Sequence, residues 1–562
     1  MASGLFARAD ALPLRALRLL RLLHLLLSIA LAAGLLMCAH HARSAPPVDV
    51  GEAIFRDGIA GDGQPVEATH QGQVAMRGAT AACVNCHRRS GLGSKEGNTT
   101  IPPIAAQYLF HPPAQSPDEL TIPFIDGMRT SREPYTEATL ARAIREGIDS
   151  EGKPLGYLMP QFALNDADMH ALIDYLKTLD RRRAPGVTDT VLHFATIVTP
   201  DADPVKRRGM LDVLEHYFAD KNAAPLGATP ALRSSRKMMF MVNRRWELHV
   251  WELHGAPDTW QAQLREHLAR QPVFAVLSGL GGRNWAPVHD FCEREQVPCL
   301  FPNVEVPVES EHDFYSMYFS RGVLLEAELI AKGMREPTGS ASGRPVKTVL
   351  QIYRAGDSGE AAAQALAADL RKQGVAVENR ALSANARVTT ALHGAAHADA
   401  LVLWLRPPDI AALGDAPPAS TAVYLSGLMG GLDRAPLPSR WRDSVRVAYP
   451  VDLPQGRRVR VDYAFGWFAI RHIPVVDERV QADTYLACGL LAETLSHMVD
   501  AFVRDYLVER IDDMLEHRIL TGYYPRLTLA PGQRFASKGG YIVRFAQAGP
   551  LRVVADSDWI VP

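Results

Sequence analysis

Cys83, Cys86 and His87 stand together in the run Cys83-Val84-Asn85-Cys86-His87, two thiols about one turn apart and an imidazole directly after them. Thiols at this spacing can add across the two vinyl groups of a haem, and the adjacent histidine then lies beneath the iron as its proximal ligand. A zinc half-site or a redox dithiol would use the same residue types. A closed zinc site takes four ligands, however, and no second cysteine pair with suitable spacing follows. The motif predicts one covalently attached haem c. Its iron then needs a sixth ligand, and Gly156-Tyr157-Leu158-Met159-Pro160 offers the thioether of Met159 in a Pro-flanked loop. Met76 and Met128 lack that context, and Met169 falls on the apolar face of a predicted helix, where methionine usually packs. A His87/Met159 pair closes both axial positions. That favours reversible one-electron transfer over chemistry that needs an open iron, so a haem enzyme is the weaker expectation.

The elements that must hold these groups belong to a chain of 562 residues, about two to four domains. With 47% apolar and 22% charged residues it has the composition of folded protein. Sixty Lys plus Arg oppose 62 Asp plus Glu, a net charge of −2, so no global field attracts nucleic acid and no such partner is expected. Arg8, Arg15, Arg18 and Arg21 precede an apolar run over 22–39, and small residues follow at Ala42 and Ser44. This charge-then-apolar order predicts a signal peptide over 1–44 and export to the periplasm. An uncleaved leader anchoring the protein in the membrane is the alternative. Met37 before Cys38 is too bulky for a lipidation signal.

Apolar residues at Met169, Leu172, Ile173, Leu176 and Leu179 predict a helix over 166–179 with one buried face. With the haem motif and the Met-Pro loop, residues 48–182 resemble a mono-haem cytochrome c domain, which implies an all-α fold. The resemblance implies that Gly51 and Phe55 on a first helix contact Tyr175 on the last. It also implies that a carbonyl near Pro102 and Pro103 accepts the His87 Nδ1 hydrogen bond. A Gly-rich insertion over 58–82 separates the first helix from the motif, where that family usually has none.

Arg181-Arg182-Arg183-Ala184-Pro185-Gly186 breaks the helical pattern, so 183–189 reads as a linker. The basic triplet is either a docking patch for an acidic redox partner or a solvated helix end. Beyond it, over 190–562, strand and helix patterns alternate: strands near 191–198, 248–253, 273–277, 298–301, 346–353 and 401–405, helices near 210–218, 260–270, 286–295, 324–332 and 360–373. That order predicts parallel sheets flanked by helices, and roughly 370 residues are too many for one ordinary sheet domain, so two α/β lobes are expected.

This region resembles the type I periplasmic binding proteins, the branched-chain amino acid and amide receptors of ABC importers. The closing run carries the resemblance most specifically: Thr521-Gly522-Tyr523-Tyr524, Leu527-Thr528-Leu529, Gly532, then Ser537-Lys538-Gly539-Gly540-Tyr541-Ile542-Val543-Arg544. It implies a ligand cleft between the lobes, with Ser278, Gly281, Gly282, Asn303, Glu305 and Arg406 on the loops that follow strand ends. Glu305 stands where a ligand carboxylate would be repelled and Arg406 where an acid is expected, so amino-acid specificity does not transfer. The alternative is that Glu305 and Arg406 simply pair with each other. Gly281-Gly282 either cradles an anion at a helix N-terminus or makes a plain turn. Cys292 and Cys299 are near enough in sequence for a disulfide in an oxidising compartment, with two buried thiols as the alternative. Cys488 reads as a small core residue.

The expected protein is therefore multidomain, an all-α cytochrome c domain followed by a two-lobed periplasmic-binding-protein-like α/β domain. Its expected function is exported one-electron transfer, the fused domain sensing a small ligand or docking a redox partner such as a periplasmic dehydrogenase or another cytochrome. The alternative is a solute receptor of an ABC-type uptake system carrying an accessory haem.

Overall fold

The structure, a computed structural model, describes residues 49–70, 74–96, 99–111, 132–179, 184–223, 244–310, 313–335, 345–419, 421–498, 501–517, 522–530, 532–546 and 552–562. The leader, Met128 and the Arg181–Arg183 triplet lie outside the described residues. The contacts divide the chain into two compact units, one drawn from 1–83, 141–147 and 154–175, the other from 84–140, 148–153 and 176–562.

In the smaller unit Asp49 caps the helix Val50–Asp57 by accepting the Glu52 N–H at 3.1 Å, and Gly58 ends it in the left-handed region at φ 66°. Its buried face, Gly51, Ala53, Ile54 and Phe55, packs on the helix Asp166–Leu176, with the Phe55 and Tyr175 ring centroids 5.4 Å apart. Gly51 lets the two backbones approach, for a Cβ there would lie 2.2 Å from the Ala171 carbonyl oxygen and 2.6 Å from Tyr175 Cβ. The second helix stops at Leu176, short of the predicted Leu179.

This region is not all-α. Strand β1 (Glu67–Thr69) pairs antiparallel with β2 (Ala75–Arg77) on one side and, on the other, with β5 (Gln161–Phe162), the fifth strand in chain order. The insertion thus folds as a small sheet. Val66 and Ala68 point inward between exposed neighbours, but strands of two or three residues are too short for alternation to register as a pattern.

In the larger unit β3 (Ser94–Glu96) and β4 (Thr99–Ile101) form an antiparallel hairpin. The first lobe is a parallel sheet in the order β10-β9-β8-β6-β7, built from β6 (Val191–Val198), β7 (Arg245–Glu252), β8 (Ala275–Leu277), β9 (Cys299–Leu300) and β10 (Ser316–Met317). The second has the order β12-β11-β13-β14-β15-β16-β17, from β11 (Thr348–Arg354), β12 (Ala376–Leu382), β13 (Ala400–Trp404), β14 (Ala422–Ser426), β15 (Val445–Tyr449), β16 (Tyr541–Phe545) and β17 (Val553–Ala555). Two lobes appear as expected, but the second sheet is mixed, because β16 and β17 run antiparallel as a closing hairpin at its edge. Every residue of β13 and β14 is buried, and β13 reads as an unbroken apolar run for that reason. Helices Pro204–Ala223, Glu478–Met498 and Arg504–His517 build a core around Phe194, Phe218 and Leu507, and Leu92 and Ala105, just past the haem motif, are buried in the same cluster.

Candidate functional site

Residues Val84–His87 form a single helical turn that begins directly after Cys83. Cys86 is exposed, Cys83 half-buried and His87 buried. Gly93, at φ 76°, packs against the hairpin, where a Cβ would lie 2.2 Å from the Ile101 carbonyl oxygen. This close approach brings the next carbonyl, that of Pro102, to 2.9 Å from His87 Nδ1. The expected second-sphere acceptor is thus Pro102 itself. Burial pulls the His87 imidazole below its ordinary pKa, against the opposing effect of the Pro102 bond. The ring is therefore neutral, its Nδ1 proton committed to Pro102 and its Nε2 lone pair left for a metal. One exposed thiol, one half-buried thiol and a neutral, oriented imidazole are the donor set that a covalent haem requires.

Met159 lies half-buried in a turn closed by its own N–H on the Gly156 carbonyl at 3.0 Å. The side chains before it, Tyr157 and Leu158, are 68% and 41% exposed, an apolar rim unusual for solvent-facing loops. Met169 is buried within its helix, as packing predicts, and Met76 sits partly buried in β2.

The cleft residues come together, but as internal partners of one another. Arg406, following β13, forks both guanidinium nitrogens onto Glu305, following β9 in the other lobe, at 2.8 and 2.6 Å. The same guanidinium holds Asp357 at 3.0 and 2.7 Å. Ser358 donates to Glu305 at 2.8 Å and Lys206 stands 3.6 Å away. Burial would raise the Glu305 carboxyl, but Arg406, Lys206 and Ser358 outweigh it and hold the group at about 2. Asn303 donates to Ser278 at 3.0 Å, and Ser278 and Thr484 share a hydroxyl contact of 2.9 Å. The Gly281-Gly282 turn is also answered internally: Gly282 N–H donates to Thr199 at 3.2 Å and Arg283 N–H to Asp201 at 3.1 Å, so a carboxylate of the chain occupies the anion cradle. The cavity left between Asn303, Glu305, Phe319, Arg479, Asp483 and Tyr524 measures about 20 Å³, room for a water or two.

Several of these partners escaped the sequence reading. Asp357 caps the helix Ser358–Lys372 directly after β11, and an acid at that junction is a visible cap signal. Glu326 and Asp483 are carboxyls set in apolar helical runs, a pattern that marks buried acids. Burial pushes Glu326 up to about 8 against the pull of Ser426 and the Leu428 and Gly427 amides, and Asp483 up to about 6 against that of Arg479 and Tyr524. Cys292 and Cys299 are fully buried with their unbridged thiols in hydrogen-bond contact, placed where a disulfide could close. Cys488 is buried in the core.

Residues 75–180 match the family model Cytochrome c, a haem-binding family. Among curated proteins none matches the chain. Similar solved structures include an ABC transporter substrate-binding protein from Sphaerobacter thermophilus, 14% identical with a TM-score of 0.49 over 66% of this chain and 98% of that one. A branched-chain amino acid ABC transporter protein from Thermus thermophilus with bound valine is 11% identical, TM-score 0.48, over 67% and 97%. A solute-binding protein from R. palustris in complex with benzoate is 11% identical, TM-score 0.47, over 66% and 98%.

Proposed function

We propose that the chain is an exported one-electron carrier with a single haem c attached through Cys83 and Cys86, and that its α/β portion, 190–562, positions or docks that carrier. The observation that carries this reading is the buried His87 ring, held by Pro102 with Nε2 left for iron beside two thiols on one turn. Each thiol would add across one vinyl group, sulfur to one carbon and hydrogen to the other, with no electron gained or lost. The bound iron supplies reversible ferric–ferrous exchange. His87 Nε2 would hold the iron and Met159 Sδ is the proposed second ligand that would keep water from it, and the exposed Tyr157 and Leu158 would offer an apolar edge to a redox partner, a periplasmic dehydrogenase or another cytochrome. The leader over 1–44 supports periplasmic placement, and 48–182 with a linker at 183–189 is the haem-bearing portion of this scheme.

The receptor alternative requires a cleft that admits a solute, and here Arg406 and Glu305 latch it with room for little more than water. Two measurements test the proposal. Acid-acetone extraction should leave haem on the chain, and Met159→Ala should abolish the near-infrared methionine-to-iron band and lower the potential. Retention of that band assigns another methionine, and haem lost to the solvent overturns the covalent site. Melting the protein with amino acids, amides and aromatic acids should leave its Tm unchanged; a saturable rise would favour the receptor.

A further inference from the structure

Strands β6 and β7 pair in parallel with His193 opposite Glu247 and Ala195 opposite His249. Because side chains alternate along a strand, His193, Glu247 and His249 share one face of the sheet, and β7 is its edge strand. His193 Nδ1 lies 3.0 Å from His249 Nε2 and 3.6 Å from Glu247 Oε2. The imidazoles are stacked, with centroids 5.3 Å apart and an interplanar angle of 27°. All three side chains are partly exposed, so an ion can reach them.

We propose that His193 Nδ1, His249 Nε2 and Glu247 Oε2 form a site for a divalent transition ion, Zn2+ foremost, with its fourth position open to water. Zinc takes nitrogen and oxygen ligands at about 2.0–2.1 Å in tetrahedral geometry, which puts any two donors about 3.3 Å apart. The observed 3.0 and 3.6 Å bracket that value and all three donor atoms lie within 4.8 Å of one another, so an ion can be held once the two rings turn their nitrogens toward it. Two imidazoles and one carboxylate suit zinc better than calcium or magnesium, which select oxygen.

A second cluster of similar composition lacks this capacity. In His289, Glu293 and Asp313 the Glu293 carboxylate already accepts the N–H groups of Phe314, Tyr315 and Ser316, while His289 spends Nδ1 on Tyr318 and Nε2 on Asp313. At His193 the contacts among the described residues are an N–H···N bond between the two rings and the approach to Glu247, both of which an ion held by the three side chains would replace. Bound there, the ion would staple the edge strand β7 to its neighbour and raise the melting temperature by mass action.

The test is calorimetric titration of the full-length, haem-bearing protein, stripped of metal by chelator, with zinc sulfate. One ion per chain is expected, with Tm rising as zinc is added. His249→Ala and His193→Ala should each weaken binding about tenfold or more, and Glu247→Gln, at a half-exposed position that folding tolerates, should weaken it measurably. X-ray absorption at the zinc edge should report nitrogen and oxygen neighbours only. Absence of binding overturns the site, as does zinc that binds all three variants as it binds the parent, which would place it among other members of the chain's 19 histidines.

Discussion

Glu509, on the helix Arg504–His517, accepts both the backbone N–H of Ser90 at 2.9 Å and its hydroxyl at 2.6 Å, tying the α/β fold to the segment three residues past His87. Burial pushes the Glu509 carboxyl up to about 7, aided by Asp505 and opposed by the Ser90 bonds and Arg88. The surrounding charges are themselves paired: Arg88 with Asp513 at 3.9 Å, Arg89 with Asp505 at 4.0 Å, and Tyr315 donating to Asp505 at 2.5 Å.

The first prediction follows from that pair. The folded pKa is raised above the unfolded one, so between the two the native state holds a proton that the unfolded chain has lost. The contribution is full below about 4.5 and disappears as pH rises through about 7. Glu509→Gln keeps an acceptor for Ser90 without the charge, so its stability relative to the parent should increase by about 2–3 kcal/mol from pH 5 to pH 8. Denaturant unfolding of both proteins across that range checks this, and parallel curves would refute it. With haem held at His87 as proposed, ionising this carboxyl would favour the ferric state, so the midpoint potential should fall through pH 7 in the parent and lose that inflection in the variant.

Glu305 titrates in the opposite sense. Its carboxyl is held at about 2, below its ordinary 4.5, so its contribution is present above 4.5 and is lost as pH falls toward 2. Arg406→Ala leaves a buried carboxylate with only Ser358 and Lys206, and should cost about 3–5 kcal/mol at pH 7. Arg406→Lys should recover little of this, since an ammonium cannot fork onto Glu305 and Asp357 together. Combining Arg406→Ala with Glu305→Gln should restore part of the loss in urea titrations; strictly additive losses would show that the two side chains are not energetically coupled.

These networks mark where the sequence stopped being informative. The haem motif was legible because three neighbouring residues carry its chemistry, and β6, β11 and β13 because strands of a buried parallel sheet are largely apolar, whereas β10, β12, β14 and β15 were not read. Pairing across the lobes was only an alternative for Glu305 and Arg406, which are about a hundred residues apart, so no local pattern could join them. Asp357, Thr484 and Asp201, which complete those contacts, were not foreseen at all. The small sheet β2-β1-β5 was missed because its strands are too short to show a period, and its third member lies far along the chain in the Met159 loop region.

Gly51 gives a packing prediction. A methyl group there meets the Ala171 carbonyl oxygen and Tyr175 Cβ well inside contact distance, and neither is the end of a flexible chain. Gly51→Ala should therefore destabilise the helix pair by about 1–3 kcal/mol despite the better helix propensity of alanine. Hydrogen exchange should quicken over 50–57 and 166–175 and stay unchanged in β11 to β15; protection equal to the parent would mean that the helices separate at no cost.

Cys292 and Cys299 give the last prediction. Their thiols are fully buried and already in contact, and burial first, then the neighbouring Cys299 thiol, pushes the Cys292 pKa well up, so that thiol does not react readily while the fold is closed. During folding in an oxidising compartment, before the strand β9 is covered, the pair can lose two hydrogens to the resident thiol oxidant and close a short loop. Chain-entropy arguments give such a loop about 2–3 kcal/mol. Protein recovered from the periplasm should then gain two mass units when the denatured, haem-bearing chain is reduced. Under denaturing, non-reducing conditions maleimide should label Cys488 but neither member of the pair. Labelling of all three would leave Cys292 and Cys299 as reduced core residues, and the double Cys→Ala variant should then lose only the stability of two small packed side chains.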